Sequence, residues 1–184
     1  KALIALARSK PGELNVAASG NGNSVHIAGE LFKAMAGCDI VTVNYKGATQ
    51  ALTDLMSGQT QLMFSVPGSV LPHVKARRLR ALAVTSLKRI PQLPAVPTVD
   101  ETVLPGFEVN SWYGLLGPAG LSKDIVQRLN AEVIRSMAEP DARERLYSIG
   151  AEPMSNTPAE FDAYIRSEMS KWAKVVKAAG IRAE

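Results

Sequence analysis

A chain of 184 residues can bury a sizeable core as one large domain or two small ones, and 46% hydrophobic with 21% charged residues is the balance of an ordinary globular protein. The net charge of +4 is mild, and the basic residues are spread along the chain apart from Lys75-Ala-Arg-Arg-Leu-Arg80, which lacks the density and aromatic interleaving of a nucleic-acid surface. A single cysteine, Cys38, excludes an intrachain disulfide and has no His or Cys at ligand spacing, and no apolar run is long enough to cross a bilayer as a helix.

The chain opens directly in a helical pattern, Ala2-Leu-Ile-Ala-Leu-Ala-Arg8, with no leader and no cap, as expected of a chain cut from something longer. Periodicity then predicts a helix to about Ser9, a strand over 14–18, a helix over Ser24–Ala36, a strand over 40–44 and a helix over Ala48–Ser57. A strand over 61–64, a helix near Pro67–Lys75 and a strand over 81–85 follow. Such alternation predicts an α/β fold, a parallel sheet flanked by helices. In the helix from Ser24, the residues Ala28, Leu31, Phe32 and Met35 recur at three-to-four spacing as the buried stripe; Glu30 and Lys33 fall outside it, and Gly37 ends it.

Residues 86–106 carry Pro91, Pro94, Pro97 and Pro105 and are predicted as a stiff surface crossing, because they can be neither a central strand nor a long helix. Residues 107–112 and 113–116 read as extended. Pro118-Ala-Gly-Leu-Ser122 breaks the chain before an amphipathic helix over about 123–137, expected to bury Ile125, Val126, Leu129, Val133 and Met137 and to stop near Pro140. A further helix is predicted from Asp141 towards Ile149. Thr157-Pro-Ala-Glu160 opens the last helix with a cap, a proline at the first position and a glutamate three residues on, a capping-box arrangement, and that helix is expected to continue to about Ala179.

The residues with binding chemistry stand at the predicted strand exits. Ser19, Gly20, Asn21, Gly22, Asn23 and Ser24 form a polar loop in which the glycines can take positive φ and Asn23 or Ser24 can cap the next helix. The unpaired first amides of that helix would favour a carboxylate or phosphate, by about 0.3–1 kcal/mol when exposed. A strand, a Gly/Asn turn and a capped helix also serve any α/β connection, and neither the dinucleotide fingerprint nor the phosphate loop is present: Val25 stands where the third glycine belongs, and no Gly-Lys-Ser/Thr occurs. Convergence says more than the single loop. Tyr45-Lys46-Gly47-Ala-Thr49 and Ser65-Val-Pro-Gly-Ser69 are two further polar strand exits leading into helices, and in an open parallel sheet ligands sit beyond the carboxyl ends of the strands.

No Gly-x-Ser-x-Gly elbow accompanies these serines, so the pattern reads as binding without a nucleophile and base. His26, off the apolar stripe and one turn before Glu30, reads as either an exposed surface residue or a ligand contact. Lys46 is either simply solvated or attracts an anion at long range, and Trp112 and Tyr113 read as core residues or as part of a hinge or cleft wall.

The ordered series Ser19-Gly-Asn-Gly-Asn-Ser-Val-His-Ile-Ala-Gly-Glu-Leu-Phe32, Tyr45-Lys-Gly-Ala, Ala51-Leu-Thr-Asp-Leu, Leu71-Pro-His-Val-Lys, Leu79-Arg-Ala-Leu-Ala-Val-Thr85, Val96-Pro-Thr-Val, Leu104-Pro-Gly-Phe, Trp112-Tyr-Gly-Leu-Leu and Lys171-Trp-Ala-Lys-Val-Val-Lys resembles the Bug (TctC-like) receptors. These are the extracytoplasmic solute-binding proteins of tripartite tricarboxylate transporters. The resemblance implies a type II periplasmic-binding-protein fold that closes over a small carboxylate or amino-acid-like ligand, with no catalytic step, no cofactor, no metal and no nucleic acid. It implies a periplasmic location and membrane transporter subunits as partners.

By the same resemblance, Ser19 to Ser24 with His26, Tyr45 to Gly47, and Ser65 would hold the ligand; many relatives carry aspartate at the position of Ser65. Residues 1–111 would form the second ligand-binding lobe, and 112–184 a hinge strand and C-terminal helices that return to a first lobe mostly missing from this chain. Those helices would then carry an uncovered apolar face that drives self-association or disorder. Two other classes stay open: the effector-sensing domain of a regulator, and an α/β enzyme acting on a carboxylate.

Overall fold

The computed structural model describes residues 1–181. α1 (Ala2–Ser9) leads into β1 (Asn15–Ala18), followed by α2 (Ser24–Ala36), β2 (Val41–Asn44), α3 (Ala48–Ser57), β3 (Leu62–Met63) and α4 (Pro67–Lys75). The strands pair in the order β2-β1-β3, every pair parallel, so each must be joined to the next by a helical crossover. Val16, Ala17 and Ala18 of the central strand are buried, as a strand covered on both faces requires. The helix bounds follow local chemistry: Asn23 caps α2, Gly37 and Gly58 end α2 and α3 at φ +56° and +83°, and Pro67 opens α4.

The buried face of α2 is turned from the expected stripe. Ala28 and Phe32 are buried together with Ile27 and Ala36, whereas Leu31 is half-buried and Met35 is exposed. Phe32 sets the rotation, because its ring packs against Phe64 and Phe107 at centroid distances of 5.7 and 6.3 Å.

Two further expectations are corrected. Residues 81–85 form no strand of the sheet: the Val84 amide donates to the Pro97 carbonyl and its carbonyl accepts from the Val99 amide, so the proline-rich segment supplies the backbone partners. The proline-rich segment is a surface crossing only in part: residues 86–97 hold no buried residue, whereas Thr98, Val99 and Leu104 are buried, as are Phe107 and Val109 just beyond it. Within it α5 (Val99–Thr102) opens on a reciprocal capping box between Thr98 and Glu101. Pro91, Pro94 and Pro105 occupy turns that need no amide donor, and Pro97 lends its carbonyl to the Val84 amide without needing one.

The chain divides into two compact units, residues 1–111 with the chain from Val175 onward, and Trp112–Lys174. The second begins with an irregular stretch and contains α6 (Lys123–Ala138), α7 (Pro140–Ser148) and most of α8 (Pro158–Ala178). Within it Trp112 meets Phe161 and Tyr164 edge-on, and Asn130 donates to the Asn156 carbonyl. Of the two readings of Tyr113, the core one is excluded: it is 86% exposed. The apolar stripe of α6 is likewise not buried: Ile125 and Leu129 are exposed at 48% and 44%, and Val126, Val133 and Met137 are half-buried.

Candidate functional site

Parallel register places the carboxyl ends of all three strands at one edge of the sheet, with Ala18 opposite Asn44 and Ala17 opposite Met63. The loops 19–24, 45–47 and 64–66 therefore leave from the same edge, each into a helix that starts there. The Tyr45 amide donates to the Ala18 carbonyl at 2.8 Å, which joins the first two loops at their roots.

In the first loop Gly20 and Gly22 adopt φ of +139° and +71°, and a Cβ on Gly20 would stand 2.8 Å from Asn23 Nδ2. Asn23 is held at both ends of its amide, Nδ2 donating to the Ser19 carbonyl and Oδ1 accepting from the His26 amide. Asn21 is exposed, and Ile181 Cγ2 lies within van der Waals reach of the space above Gly22.

His26 departs from the expected exposed residue: it is only 6% exposed, and its Nδ1 accepts the Gly22 amide at 2.9 Å. The imidazole accepts at Nδ1, so in its neutral form it carries its proton on Nε2, 3.6 Å from Glu30 Oε1. Glu30 in turn takes Lys33 Nζ at 2.7 Å and the Thr42 hydroxyl at 2.6 Å, tying α2 to β2. Both Glu30 and Lys33 are thus drawn into a largely covered polar cluster.

Ser24, in the first turn of α2, has its hydroxyl 2.7 Å from that of Ser111. Ser111 belongs to a stretch that the sequence marks only as extended, and no local pattern singles it out. With Asn23 serving the His26 amide, the amides of Ser24 and Val25 are among the donors of this helix start that have no intrahelical partner.

The second loop divides its roles. The Tyr45 hydroxyl donates to Asp54 Oδ2 at 2.8 Å; partial burial first, and then this bond, hold the phenol above the ordinary tyrosine pKa. Lys46 is exposed. Gly47 stands at the N-cap of α3 with no side-chain cap, so the amides of Ala48, Thr49 and Gln50 are the unpaired donors of that helix start. In the third loop Ser65 is half-buried, its hydroxyl 3.4 Å from the Val66 carbonyl, and α4 also starts without a side-chain cap.

The arrangement offers main-chain donors, three serines (Ser19, Ser24 and Ser65) and one lysine around a common edge, which suits an anion accepting several hydrogen bonds. Among the described residues no group of three His, Cys, Asp or Glu is placed to hold a metal ion. A surface groove of about 330 Å³ involves none of these loops; it is lined by Lys1, Ile4, Ala5 and Arg8 of the N-terminal region and by Thr102 to Leu104.

Residues 1–181 match the family model of the tripartite tricarboxylate transporter family receptor, TctC. The chain belongs to this family. Family members are periplasmic solute-binding receptors, in agreement with the resemblance carried by the ordered motifs. This TctC-family chain is 39% identical over 175 residues to the UPF0065 protein in the tcbD-tcbE intergenic region of Pseudomonas sp. strain P51, covering 95% of this chain and 52% of that one.

Among solved structures, R. palustris Rpa4515 with adipate superposes with a TM-score of 0.88 at 37% identity, covering 97% of this chain and 60% of that one. MatC from Rhodopseudomonas palustris with bound malate gives 0.83 at 32% identity, covering 95% and 60%. The chain spans about half the length of the curated relatives it matches first, at 52% and 56%.

Proposed function

We propose that this chain supplies the carboxylate-holding edge of an extracytoplasmic receptor, which binds a small dicarboxylate and hands it to a tripartite tricarboxylate-type transporter in the membrane. The observation that carries the reading is the shared edge: three parallel strands end together, and α2 and α3, which follow the first two, begin with unpaired amides. A carboxylate set against one such helix start gains about 0.3–1 kcal/mol, and up to about 2 when partly buried. Contributions from adjacent starts act on the same charge.

The ligand-holding set in this reading is the loop Ser19, Gly20, Asn21, Gly22, Asn23 and Ser24, then Tyr45, Lys46 and Gly47 by backbone and charge, and Ser65. Adipate and malate, the ligands of the two Rhodopseudomonas palustris relatives, are both small dicarboxylates and support that substrate class. Residues 1–111 act as one ligand-binding lobe, while 112–184 form a hinge and helices that belong with another lobe. The protein works in the periplasm, without a catalytic step, and the exposed stripe of α6 with Leu115 and Leu116 is an association surface.

Thermal-shift titration with adipate, malate and citrate, against a neutral diamide of matched length, tests the reading. The midpoint should rise with the logarithm of dicarboxylate concentration, corresponding to about 2.7 kcal/mol at a hundredfold excess over Kd. No shift with any carboxylate, or an equal shift with the diamide, overturns it.

A further inference from the structure

We infer that His26 is a positioning residue for this site: it holds the glycine loop in shape through the Gly22 amide and leaves the adjoining amides to the ligand. The inference rests on the carboxylate-binding reading of the loop. Two independent links converge on this residue. Its backbone N–H is taken by Asn23 Oδ1 at 3.0 Å, and its Nδ1 takes the Gly22 N–H at 2.9 Å.

Gly22 sits at φ +71° and Gly20 at +139°, conformations that glycine enters and leaves at little cost, so the bonds made to the loop decide its shape. The ring is 6% exposed, so water does not readily replace Nδ1 as acceptor. On its other side Nε2 faces Glu30 Oε1 at 3.6 Å, and that carboxylate is fastened by Lys33 Nζ and the Thr42 hydroxyl. The chain of contacts runs from β2 through Glu30 and the imidazole to the loop, and fixes which ring nitrogen is the acceptor. Because the Gly22 amide is turned to the ring, the donors left at this corner include the amides of Ser24 and Val25 but not that of Gly22.

The test compares three variants of the 184-residue chain. His26→Asn keeps an acceptor near the Nδ1 position, His26→Gln places its amide near Nε2 and leaves Nδ1 unreplaced, and His26→Leu removes both. Amide exchange at Gly22, read by NMR, should quicken about tenfold in His26→Gln and His26→Leu and stay within about threefold of the parent in His26→Asn. Adipate affinity by calorimetry should follow the same order, falling about fivefold or more in the first two and recovering in His26→Asn.

Unchanged Gly22 exchange in both His26→Gln and His26→Leu overturns the inference, as does loss of affinity in His26→Asn as large as in His26→Leu. If His26→Leu fails to fold, His26→Gln carries the comparison. Should the parent bind no dicarboxylate, the carboxylate reading falls, and Gly22 exchange by itself decides whether His26 holds the loop.

Discussion

The hydroxyls of Ser24 and Ser111 lie 2.7 Å apart, although 87 positions separate them in the chain. The bond fastens the start of α2 to the last residue before the second unit begins, and it borders the amides assigned to the ligand. It is exposed and neutral, so its removal should cost at most about 1 kcal/mol of stability. Ser111→Ala should leave the urea midpoint nearly unchanged yet weaken adipate binding about threefold, as expected where loss of about 0.7 kcal/mol is felt in the bound state. Calorimetric titration beside urea unfolding checks both halves.

Gly114 has no room for a side chain: a Cβ there would stand 2.1 Å from Phe161 Cζ. Phe161 is held in place by the edge-on contact with Trp112, so the ring must tilt or the irregular backbone must move. Gly114→Ala should destabilise the chain by about 1–3 kcal/mol and alter the near-ultraviolet circular dichroism of Trp112. Adding Phe161→Leu should recover part of the loss; a Gly114→Ala protein with the parent's stability and spectrum would contradict this packing.

Glu30 joins α2 to β2 through Lys33 and Thr42 and has a side chain only 13% exposed. Taking the carboxylate away leaves the Thr42 hydroxyl still accepting from Lys33 Nζ but with no acceptor for its own proton, and leaves the lysine without its counter-charge, whereas Glu30→Gln keeps the shape and one acceptor. Glu30→Ala should cost about 1–3 kcal/mol in urea unfolding and Glu30→Gln less. Because the cluster is mostly covered, salt should change the difference little.

The start of α8 should be sensitive to acid. Hydrogen bonds from the Thr157 amide, and then from its hydroxyl, hold the Glu160 carboxyl below the ordinary glutamate pKa. A carboxylate depressed in the folded state contributes fully above the unfolded value, and that contribution is lost as pH falls through the folded value. Melting followed by far-ultraviolet circular dichroism at about pH 7 and about pH 3 should show a smaller acid-induced loss for Glu160→Gln than for the parent. Equal losses in the two proteins would remove the box from the acid response.

Much of the first unit was legible because its signals are local. The bounds of α2, α3 and α4 agree with expectation because Asn23, Gly37, Gly58 and Pro67 act on backbone within a turn of themselves. The convergence of three polar exits followed from the same alternation, since helical crossovers between parallel strands bring every second connection to the same sheet edge. Residues 81–85 failed as a strand for the opposite reason: their alternation is right, but their hydrogen bonds go to 97–99 and 109, a choice made by distant backbone.

Local order in the chain thus determined the α/β class, the family and the gathering of three polar strand exits at one edge of the sheet. Tertiary structure alone decided that His26 lies inside, gripping the Gly22 amide, that Ser111 arrives beside Ser24, and that Thr98, Val99, Leu104, Phe107 and Val109 enter the core while no residue of the α6 stripe is buried. Capping and periodicity are properties of neighbouring residues. Which donors remain free and which apolar faces find cover depend on groups brought together from far along the chain.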